Sequence, residues 1–489
     1  MSPTTTQENI KRSILELEQK YPVDSWNING IDLWPYIRIR LYLNMLVFSG
    51  DSGDEQSNLD VSVIKSPNFL NKITTSVKII IAIFRLQLFY LRLQKKKALL
   101  FGTHFHRVLF NGKYFNRFYD SIIEHHNLQN KVYMMEYNKV CKPIYNKKAV
   151  IKLSKRLHDY KLLSKLKLKN SGIKNTVQLK GYSDFYEELS GLNLDIQSLK
   201  VSQIDLMNWA RKMNSLMGFY SKVYKKTNPS KVVFLGYYGY DDLYAALIVA
   251  NRMNINTIDF QHGPQTNIHM AYSSWSKLPH RGFNTMPREF WTWDQNSKEN
   301  IESWASKTNN SKVILVGQPY ISFSLASKKL NNQESEILYS LQVEPLDQLG
   351  TKIINLIRNS AYVWNLRLHP RSTSNEKDLR LFLNKNGLIG NFKIQNPISN
   401  SLPESLANTI LHITNFSGCL IEAHLMGVPS LIINNVGKEM FAEYIDNKLV
   451  YYIDENEEDF DLKFEKLMKN IKTIDPKLNY SEIQNPFAD

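Results

Sequence analysis

The sequence has very little cysteine. Cys141 and Cys419 are the only two among 489 residues. Two cysteines cannot build a disulfide framework or a cysteine-rich zinc site, so a reducing cytoplasm is the simplest setting. The opening residues, MSPTTTQENIKRS, also lack the apolar core of a secretory signal peptide. We therefore expect a cytoplasmic protein.

The sequence also lacks a long uncharged apolar run. Its most apolar stretch, VKIIIAIFRLQLFYLRLQKKK (77–97), is interrupted by Lys78, Arg85 and Arg92. No uncharged segment there reaches the roughly 18–20 residues that a spanning helix needs. Two interpretations stay open. The segment is either a basic amphipathic helix on an anionic membrane, or a helix packed on the protein with its arginine side chains extended to solvent.

What the sequence does have is positive charge. Lysine and arginine number 61 against 46 acidic residues, which gives a net charge of +15 and a pI of about 9.3. This balance indicates an anionic partner: a nucleic acid, an acidic membrane face or a phosphorylated substrate. At this length, two or three domains are expected.

Strand-like and helix-like segments alternate along the chain after residue 97. One example is KVVFLGYYGYDDLYAALIVANRMN, followed by INTIDFQHG. Such alternation is typical of doubly wound α/β domains with parallel strands. We predict a helical N-terminal region (1–96), for which membrane association stays open, a first Rossmann-like domain (97–310), a second Rossmann-like domain (311–475) and a tail (476–489).

Polar turns follow five of the predicted strands, at the edge where open parallel sheets bind ligands. They are GTHFHR, GYYGYDD, QHGP, RLHPRS and TNFSG. The QHGP turn holds His262. With an ordinary pKa near 6.5, a histidine suits a general base for a hydroxyl, or a cation that stabilises a leaving phosphate. The alternative is a turn histidine bonded to backbone.

Two further turns carry weaker candidates in the first domain. Asp241 and Asp242 begin a predicted helix, where they are either a catalytic base or residues that cap the helix and complement its dipole. His104, His106 and Arg107 either bind an acceptor or are ordinary loop residues.

The RLHPRS turn predicts a phosphate contact. Arg367, His369 and Arg371 cluster at a strand end that Pro370 terminates. Arginine suits bidentate contact with phosphate, and a histidine adds a further donor. The alternative is a surface turn whose arginines are solvated.

The TNFSG turn predicts an anion site at the start of a helix. Thr414 and Asn415 end a strand, and Ser417 and Gly418 open the helix, with Glu422 one turn further in. Backbone N–H groups and hydroxyls at such a position bind anions. The alternative is a plain helix cap by Asn415 or Ser417.

RLHPR followed by TNFSGCLIEAHLMGVP resembles the donor-binding half of bacterial GT-B glycosyltransferases. The most similar groups use cytidine-activated donors: sialyltransferases, capsule Kdo transferases and CDP-glycerol glycerophosphotransferases. His369-Pro370 matches their His-Pro motif. Thr414 to Ser417 matches their Ser/Thr-rich motif, although only Ser417 stands where a serine pair is expected. The resemblance covers about 232–445 and includes VGQP (316–319), similar to the Gly-x-Pro that begins the second domain in the glycerophosphotransferases.

The resemblance implies a fold and a set of roles. Two doubly wound domains face a cleft, both motifs hold the nucleotide phosphates, and Glu422 lies near the ribose. His262 faces the reaction centre from the first domain. The implied function is transfer of a sugar from a nucleotide-activated, cytidine-type donor to a capsule polysaccharide, a lipopolysaccharide or another cell-surface glycolipid, at the inner face of the cytoplasmic membrane.

Three other expectations complete the analysis. We expect no essential metal, because no Asp-x-Asp has a clear metal context and His-x-x-x-His spacing on a helix is absent, and no cofactor besides the donor substrate. A glycerol- or ribitol-phosphate transferase on the same scaffold is an alternative function. A basic nucleic-acid-binding protein is another, and the absence of a zinc-finger or RNA-binding signature speaks against it. A degenerate, non-catalytic scaffold also stays open.

Overall fold

The computed structural model describes residues 6–48, 69–167, 179–192, 194–326, 336–471 and 487. Its helices, in chain order, are α1 (Gln7–Lys20), α2 (Trp34–Phe48), α3 (Phe69–Arg92), α4 (Tyr119–His125), α5 (Leu153–Lys167), α6 (Tyr182–Gly191), α7 (Ile196–Leu199), α8 (Gln203–Thr227), α9 (Asp241–Arg252), α10 (Gln295–Ala305), α11 (Pro319–Ala326), α12 (Thr351–Asn359), α13 (Glu376–Lys385), α14 (Leu402–Ala407), α15 (Cys419–Leu425), α16 (Asn435–Met440), α17 (Ala442–Asp446) and α18 (Phe460–Asn470).

The strands form two large parallel sheets and two small hairpins. In chain order they are β1 (Asn27–Ile28), β2 (Ile31–Asp32), β3 (Ala98–Thr103), β4 (Arg107–Phe110), β5 (Lys113–Asn116), β6 (Val132–Tyr137), β7 (Val150–Lys152), β8 (Lys231–Phe234), β9 (Asn256–Phe260), β10 (Glu289–Thr292), β11 (Lys312–Leu315), β12 (Glu336–Ser340), β13 (Val363–Arg367), β14 (Phe392–Gln395), β15 (Thr409–Thr414), β16 (Ser430–Ile432) and β17 (Val450–Tyr452).

The first sheet has seven strands in the order β11-β10-β9-β8-β3-β6-β7. Every residue of β3 and β6 is buried, because helices cover both faces of a parallel sheet. The chain runs outward from β3 through β6 to β7, and from β8 through β9 to β11 on the other side. The order therefore reverses between β3 and β8, and loops that leave such a reversal at the carboxyl edge flank a crevice.

The second sheet has six parallel strands in the order β14-β13-β12-β15-β16-β17. Its order reverses between β12 and β15, so its crevice lies between the loops after these two strands. The predicted fold class, two doubly wound α/β domains with a helical N-terminal region, is confirmed.

One predicted domain boundary is corrected by strand pairing. The sequence predicts that the second domain begins at residue 311, where a charged, polar stretch leads to KVILVGQPY. In the structure these residues form β11, which pairs in parallel with β10 from Glu289–Lys312 to Thr292–Leu315. The first domain therefore continues through β11, as its edge strand.

The N-terminal helices α1 and α2 share a core with the first domain. Ile10, Ile14 and Trp34 belong to the same buried cluster as Trp209 and Tyr244. These two helices are thus packed on the first domain rather than standing apart from it.

A buried ion pair reinforces this packing. The Arg38 guanidinium lies 3.1 Å from the Glu18 carboxylate, and both side chains are fully shielded from solvent. Glu18 also accepts the backbone N–H groups of Ser276 and Lys277, each at 3.1 Å. Removing either member of the pair would leave an uncompensated buried charge, which is strongly destabilising.

A hairpin of the first domain reaches across to the second. Strands β4 and β5 meet at Asn111-Gly112, both with positive φ, which is the backbone of a tight hairpin turn. Phe115 of the hairpin stacks on Phe323 of α11, with ring centroids 4.7 Å apart. The Leu109 N–H donates to the Ile398 carbonyl at 2.8 Å, so the hairpin contacts the body of the second domain as well.

Candidate active site at the interdomain cleft

The turns that the sequence singles out meet across the cleft between the domains. A methyl group added at Gly418 would come within 2.9 Å of Pro264 Cδ, so the QHGP turn lies directly against the TNFSG turn. The Arg371 guanidinium lies 5.8 Å from the Phe105 ring centroid, which joins the RLHPRS turn to the GTHFHR turn. The carboxyl edges of the two sheets therefore face each other.

His262 is held in this cleft by its neighbours. Gln261 is fully buried, accepts the Trp293 N–H at 2.6 Å and donates to the Gly263 carbonyl at 3.1 Å, which fixes the turn. His262 packs against Gly236, where an added Cβ would come within 2.8 Å of its Cε1 atom. Gly236 also has a φ of +74°, so a side chain there is excluded twice over.

A second histidine stands beside His262. The His106 and His262 ring centroids are 6.1 Å apart. Burial, and secondarily the neighbouring His262 and Arg117, lower the pKa of His106 well below its ordinary value. Burial also lowers the pKa of His104, with Lys139 adding to the effect. His106 is therefore neutral at physiological pH, and a neutral imidazole can donate or accept a hydrogen bond.

A buried carboxyl that the sequence analysis did not single out shapes this half of the site. Asp259 of β9 accepts the Tyr237 N–H at 2.9 Å and the Tyr272 hydroxyl at 2.8 Å. Burial raises the pKa of Asp259 to about 7. Asp259 thereby anchors the turn after β8, against which His262 packs. An acidic residue inside an apolar strand was the signal that could have found it.

The structure gives Arg107 an internal position. Its side chain is fully buried and lies 2.8 Å from Glu136 and 3.7 Å from Asp120. It also donates to the Tyr114 carbonyl at 2.7 Å. The predicted contact between Arg107 and an acceptor is therefore corrected, because the guanidinium is enclosed by two carboxylates inside the first domain. His104 and His106 remain at the cleft.

Asp241 and Asp242 begin α9 and face lysines rather than the cleft histidines. The Lys161 ammonium lies 2.6 Å from Asp242, and Lys212 lies 3.2 Å from Asp242 and 3.6 Å from Asp241. Burial alone would raise the pKa of Asp242, but Lys212 and Lys161 outweigh burial and lower it. A carboxylate with a lowered pKa is a weaker base, so the structure favours the alternative that the two residues stabilise the helix start.

The RLHPRS turn presents an ordered arginine and an oriented histidine. Arg367 is 6% exposed and donates to the Asn400 carbonyl at 2.9 Å, which holds the guanidinium in place. His369 Nδ1 accepts the Arg371 N–H at 3.0 Å. That bond makes Nε2 the protonated nitrogen of the neutral ring and fixes the ring plane. Pro370 is exposed at the tip of the turn.

Buried hydrogen bonds set the shape of the TNFSG turn. Thr414 Oγ1 donates to the Ser340 carbonyl at 3.2 Å and accepts the Ser417 N–H at 2.9 Å. Asn415 accepts the Tyr339 hydroxyl at 2.9 Å. Ser417 is half-buried, and its hydroxyl accepts the Cys419 N–H at 3.3 Å. Thr414 and Asn415 thus shape the turn from inside, while Ser417 and Gly418 line the cleft.

Three charged groups from the two domains lie within electrostatic reach of one another behind this turn. Glu422 of α15 is 3% exposed, and the Gln318 amide lies 3.3 Å from its carboxylate. Burial raises the pKa of Glu422, while Arg117 and Arg367 oppose the rise. Arg117, from the first domain, also lowers the pKa of His106 and of Arg367, so these groups all lie within electrostatic reach of its guanidinium.

Arg117 is a second residue that the sequence did not single out. Its Nε atom is buried and has no hydrogen-bond partner among the residues that the structure describes. Its guanidinium lies 4.8 Å from the Phe118 ring centroid, and its backbone N–H donates to the His106 carbonyl at 2.9 Å. Arg117 and Arg367 outnumber the single carboxylate Glu422, so this part of the cleft favours an anionic ligand.

Comparisons with known proteins give similarity in fold only. No protein-family model and no curated protein matches the chain. The solved structures it is similar to include the UDP-GlcNAc 2-epimerase from Neisseria meningitidis bound to UDP-GlcNAc, with 14% identity, a TM-score of 0.44, and coverage of 80% of this chain and 95% of that one. Acinetobacter baumannii MurG is 12% identical, with a TM-score of 0.39 and coverages of 76% and 91%. A UGT transferase from Siraitia grosvenorii in complex with UDP is 10% identical, with a TM-score of 0.40 and coverages of 76% and 92%.

Across the ranges that the structure describes, no three His, Cys, Asp or Glu side chains come together in a way that could hold a metal ion. A cavity of about 360 Å³ lies at the opposite edge of the first sheet, before β10 and β11, and its lining includes Arg252, Arg281 and Arg288. It is separate from the cleft, where His262 stands beyond the other end of β9.

Proposed function

We propose that the chain is a nucleotide-sugar-dependent glycosyltransferase, which moves a sugar from a cytidine-activated donor to a cell-surface polysaccharide or glycolipid. The observation that carries the proposal is the contact of the QHGP turn, which holds His262, with the TNFSG turn at the meeting edges of the two domains. Arg117 and Arg367 lie within electrostatic reach of the buried Glu422 behind this contact. A nucleotide phosphate supplies the negative charge that two arginines facing one carboxylate favour.

The donor has a defined place in this proposal. Arg367, His369 and the Ser417-Gly418 segment contact the nucleotide phosphates, with Arg117 reaching them from the first domain. Glu422 lies deepest and suits a hydrogen bond to the ribose hydroxyls, since a buried carboxylate gains from two additional donors. The cytidine preference follows from the resemblance of the two motifs to transferases that use CMP- and CDP-linked donors.

The acceptor enters from the side of the first domain. His262 stands in the turn that abuts Gly418, so a hydroxyl placed between the domains lies within its reach. In this proposal His262 accepts the proton of the acceptor hydroxyl as a general base, and neutral His106 beside it is a hydrogen-bonding partner. Positive charge at the phosphates stabilises the leaving nucleotide, and no step requires a metal ion.

Thermal unfolding with CMP, CDP, UDP and GDP tests nucleotide binding directly. A ligand at 100 times its Kd stabilises the folded state by about 2.7 kcal/mol, which raises Tm by several degrees. We expect CMP or CDP to give the largest rise. His369→Ala abolishes the rise, and Arg117→Gln weakens binding about 10- to 100-fold through the lost charge-assisted hydrogen bonds. Arg12→Gln, on the exposed face of α1, is the matched control.

Transfer assays separate the catalytic assignment from binding. His262→Ala is expected to keep the CMP-induced rise in Tm and to lose product formation by 10²- to 10⁴-fold, the range of general-base catalysis. Full turnover by His262→Ala would remove His262 from the mechanism. If none of the four nucleotides raises Tm, the transferase proposal fails, and salt-sensitive DNA binding would then favour a nucleic-acid partner.

The same assay separates the alternative transfer. CDP-glycerol and CDP-ribitol carry the same cytidine moiety as CMP-sugars, so both fit the proposed phosphate contacts. Product formation from CDP-glycerol or CDP-ribitol, with none from a panel of CMP-sugars, would assign glycerol- or ribitol-phosphate transfer to the same site.

We place the acceptor at the inner face of the cytoplasmic membrane, which the net charge of +15 supports.

A further inference from the structure

Helix α3 has two apolar faces, and among the residues that the structure describes only one of them is packed. Ala82, Leu86, Phe89 and Tyr90 are buried against the first domain. On the opposite side, the outer stripe consists of large apolar side chains that are between 45% and 75% exposed: Val77, Ile80, Ile81, Phe84 and Leu91. Their spacing of three and four residues places them on one side of the helix. Among the described residues, no helix is long and apolar enough to cross a membrane.

The packed face is firmly held, so the outer stripe cannot be buried by rolling the helix. Phe89 stacks on Phe219 of α8, with ring centroids 6.1 Å apart and an interplanar angle of 6°. Arg85 pairs with Asp159 of α5, whose side chain is 1% exposed, through an Nε–Oδ2 distance of 3.0 Å. Rotating α3 would break this ion pair and expose the aromatic contact.

The surroundings of the outer stripe are strongly basic. Residues 77–97 and helix α5, which packs beside α3, contain a single acidic residue, Asp159, and Arg85 already neutralises it. The same two segments carry seven further cationic residues whose side chains the structure describes: Lys78, Arg92, Lys95, Lys96, Lys97, Lys155 and Arg156. Lys161 is left out of this set because it pairs with Asp242. A partner of this surface must therefore accept apolar side chains and supply negative charge.

We propose that the outer stripe of α3, with the basic residues of α3 and α5 around it, is a docking surface for an anionic lipid bilayer. Helix α3 lies along the bilayer, with the stripe among the acyl chains and the cations at the headgroups. A second copy of the chain fits less well, because a symmetric pair would bring two strongly positive surfaces together. This proposal rests on the proposed function, because the docking surface would serve to bring the cleft to a lipid-linked acceptor.

Vesicle sedimentation tests the surface without any turnover. We expect the full chain to sediment with vesicles of phosphatidylglycerol and phosphatidylcholine, and at least tenfold more weakly with phosphatidylcholine alone. The triple variant Ile80→Ser, Phe84→Ser and Leu91→Ser should bind the anionic vesicles at least tenfold more weakly, because three apolar side chains no longer enter the acyl region.

A matched control tests whether the effect belongs to this surface. Leu381, Ile389 and Leu462 are also large and more than half exposed, but they belong to the second domain. Changing these three to serine should leave vesicle binding unchanged. A second variant, Lys78→Gln, Arg92→Gln and Lys95→Gln, should weaken binding to anionic vesicles and reduce its dependence on salt.

Three outcomes would overturn the proposal. The full chain stays in the supernatant, the α3 triple variant binds as well as the control triple, or the full chain self-associates without lipid and only the α3 variant is monomeric. The last result would assign the surface to a second copy. The CMP-induced rise in Tm should be unchanged in the same variants, since the serine changes lie outside the cleft. Loss of vesicle binding with a retained rise in Tm is therefore distinct from failure of the proposed function.

Discussion

At the residue scale, burial and neighbouring charges give similar side chains of the candidate site different charge states and different environments. His106 is neutral because it is buried beside cations, while Asp242 is held charged by two lysines. Arg107 and Arg117 are ten residues apart, yet carboxylates enclose one and the other faces the cleft. Residue type alone predicts none of these differences, because each depends on partners that are distant in the sequence.

His412 provides a prediction on pH dependence. Its ring lies fully buried between the Ser340 and Ser430 hydroxyls, each at 3.0 Å, and burial lowers its pKa to about 3. The unfolded chain binds a proton on this histidine below pH 6.5, whereas the folded chain does not. The stabilising contribution is therefore complete above pH 6.5 and is lost as the pH falls toward 3, by about 1.4 kcal/mol per pH unit.

The measurement is urea unfolding at pH 7, 6 and 5 for the protein and for His412→Asn. The variant loses packing at every pH, but its free energy of unfolding should fall less steeply between pH 6.5 and 5. Comparing slopes is necessary because Asp259 acts in the opposite direction. Its raised pKa of about 7 costs stability as the pH rises from about 4 through 7. Identical slopes for the two proteins would contradict the assignment.

At the element scale, α16 supports the TNFSG turn through a glycine. A Cβ built on Gly437 would lie 1.8 Å from the Asn415 carbonyl oxygen and 2.8 Å from Ile432 Cγ2. The first of these is backbone and cannot swing aside, so Gly437→Ala must displace either α16 or the turn. We expect a loss of about 3 kcal/mol or more in the free energy of unfolding, with a weaker CMP-induced rise in Tm.

Gly390→Ala is the matched control, because nothing lies within 4 Å of an added Cβ there and the backbone is not in the left-handed region. It should change Tm by no more than a degree or two. Thermal unfolding of both variants, with and without CMP, is the measurement. A Gly437→Ala protein with unchanged Tm would mean that α16 does not hold the turn in this way.

The elements also show how far the sequence leads. The alternation of apolar strands and helices predicted both parallel sheets, and the polar strand ends led to the residues around the cleft, because these signals are local. The predicted boundary at residue 311 was wrong because the residues of β11 alone do not reveal that this strand pairs with β10. The β4–β5 hairpin had a local signal, Asn111-Gly112 between apolar segments, and recognising it would have indicated Arg117, which follows it directly.

At the scale of the whole molecule, the two domains are joined by contacts that are large and apolar as well as polar. Phe110, Phe115, Tyr320 and Phe323 form one cluster between the hairpin and α11. On another side, the Tyr444 hydroxyl of α17 donates to Asp294, which caps α10 through the Ser297 N–H at 3.1 Å. Asp294 is thus a structural contact between domains, and the cleft geometry depends on such contacts.

Because of these contacts, we expect the chain to unfold in a single calorimetric transition. Phe323→Ala removes the ring that lies 4.7 Å from Phe115. Because Phe323 is half-buried, we expect a cost of about 1–2 kcal/mol, which falls on the contact between the β4–β5 hairpin and α11. The transition should then divide into two, since neither domain core is altered. CMP should still raise the transition temperature of the second domain, where most of its proposed contacts lie. It should raise the transition temperature of the first domain less than in the unchanged protein.

The control is Phe464→Ala, which removes a ring that is 4% exposed and stacks on Trp364 inside the second domain. This change should lower the transition temperature by at least as much without dividing the transition, because it weakens one core and leaves the boundary intact. If Phe323→Ala unfolds in one transition like Phe464→Ala, the hairpin is not what couples the domains. The alignment of Arg117 with Arg367 would then have to depend on other contacts, such as the one between Asp294 and Tyr444.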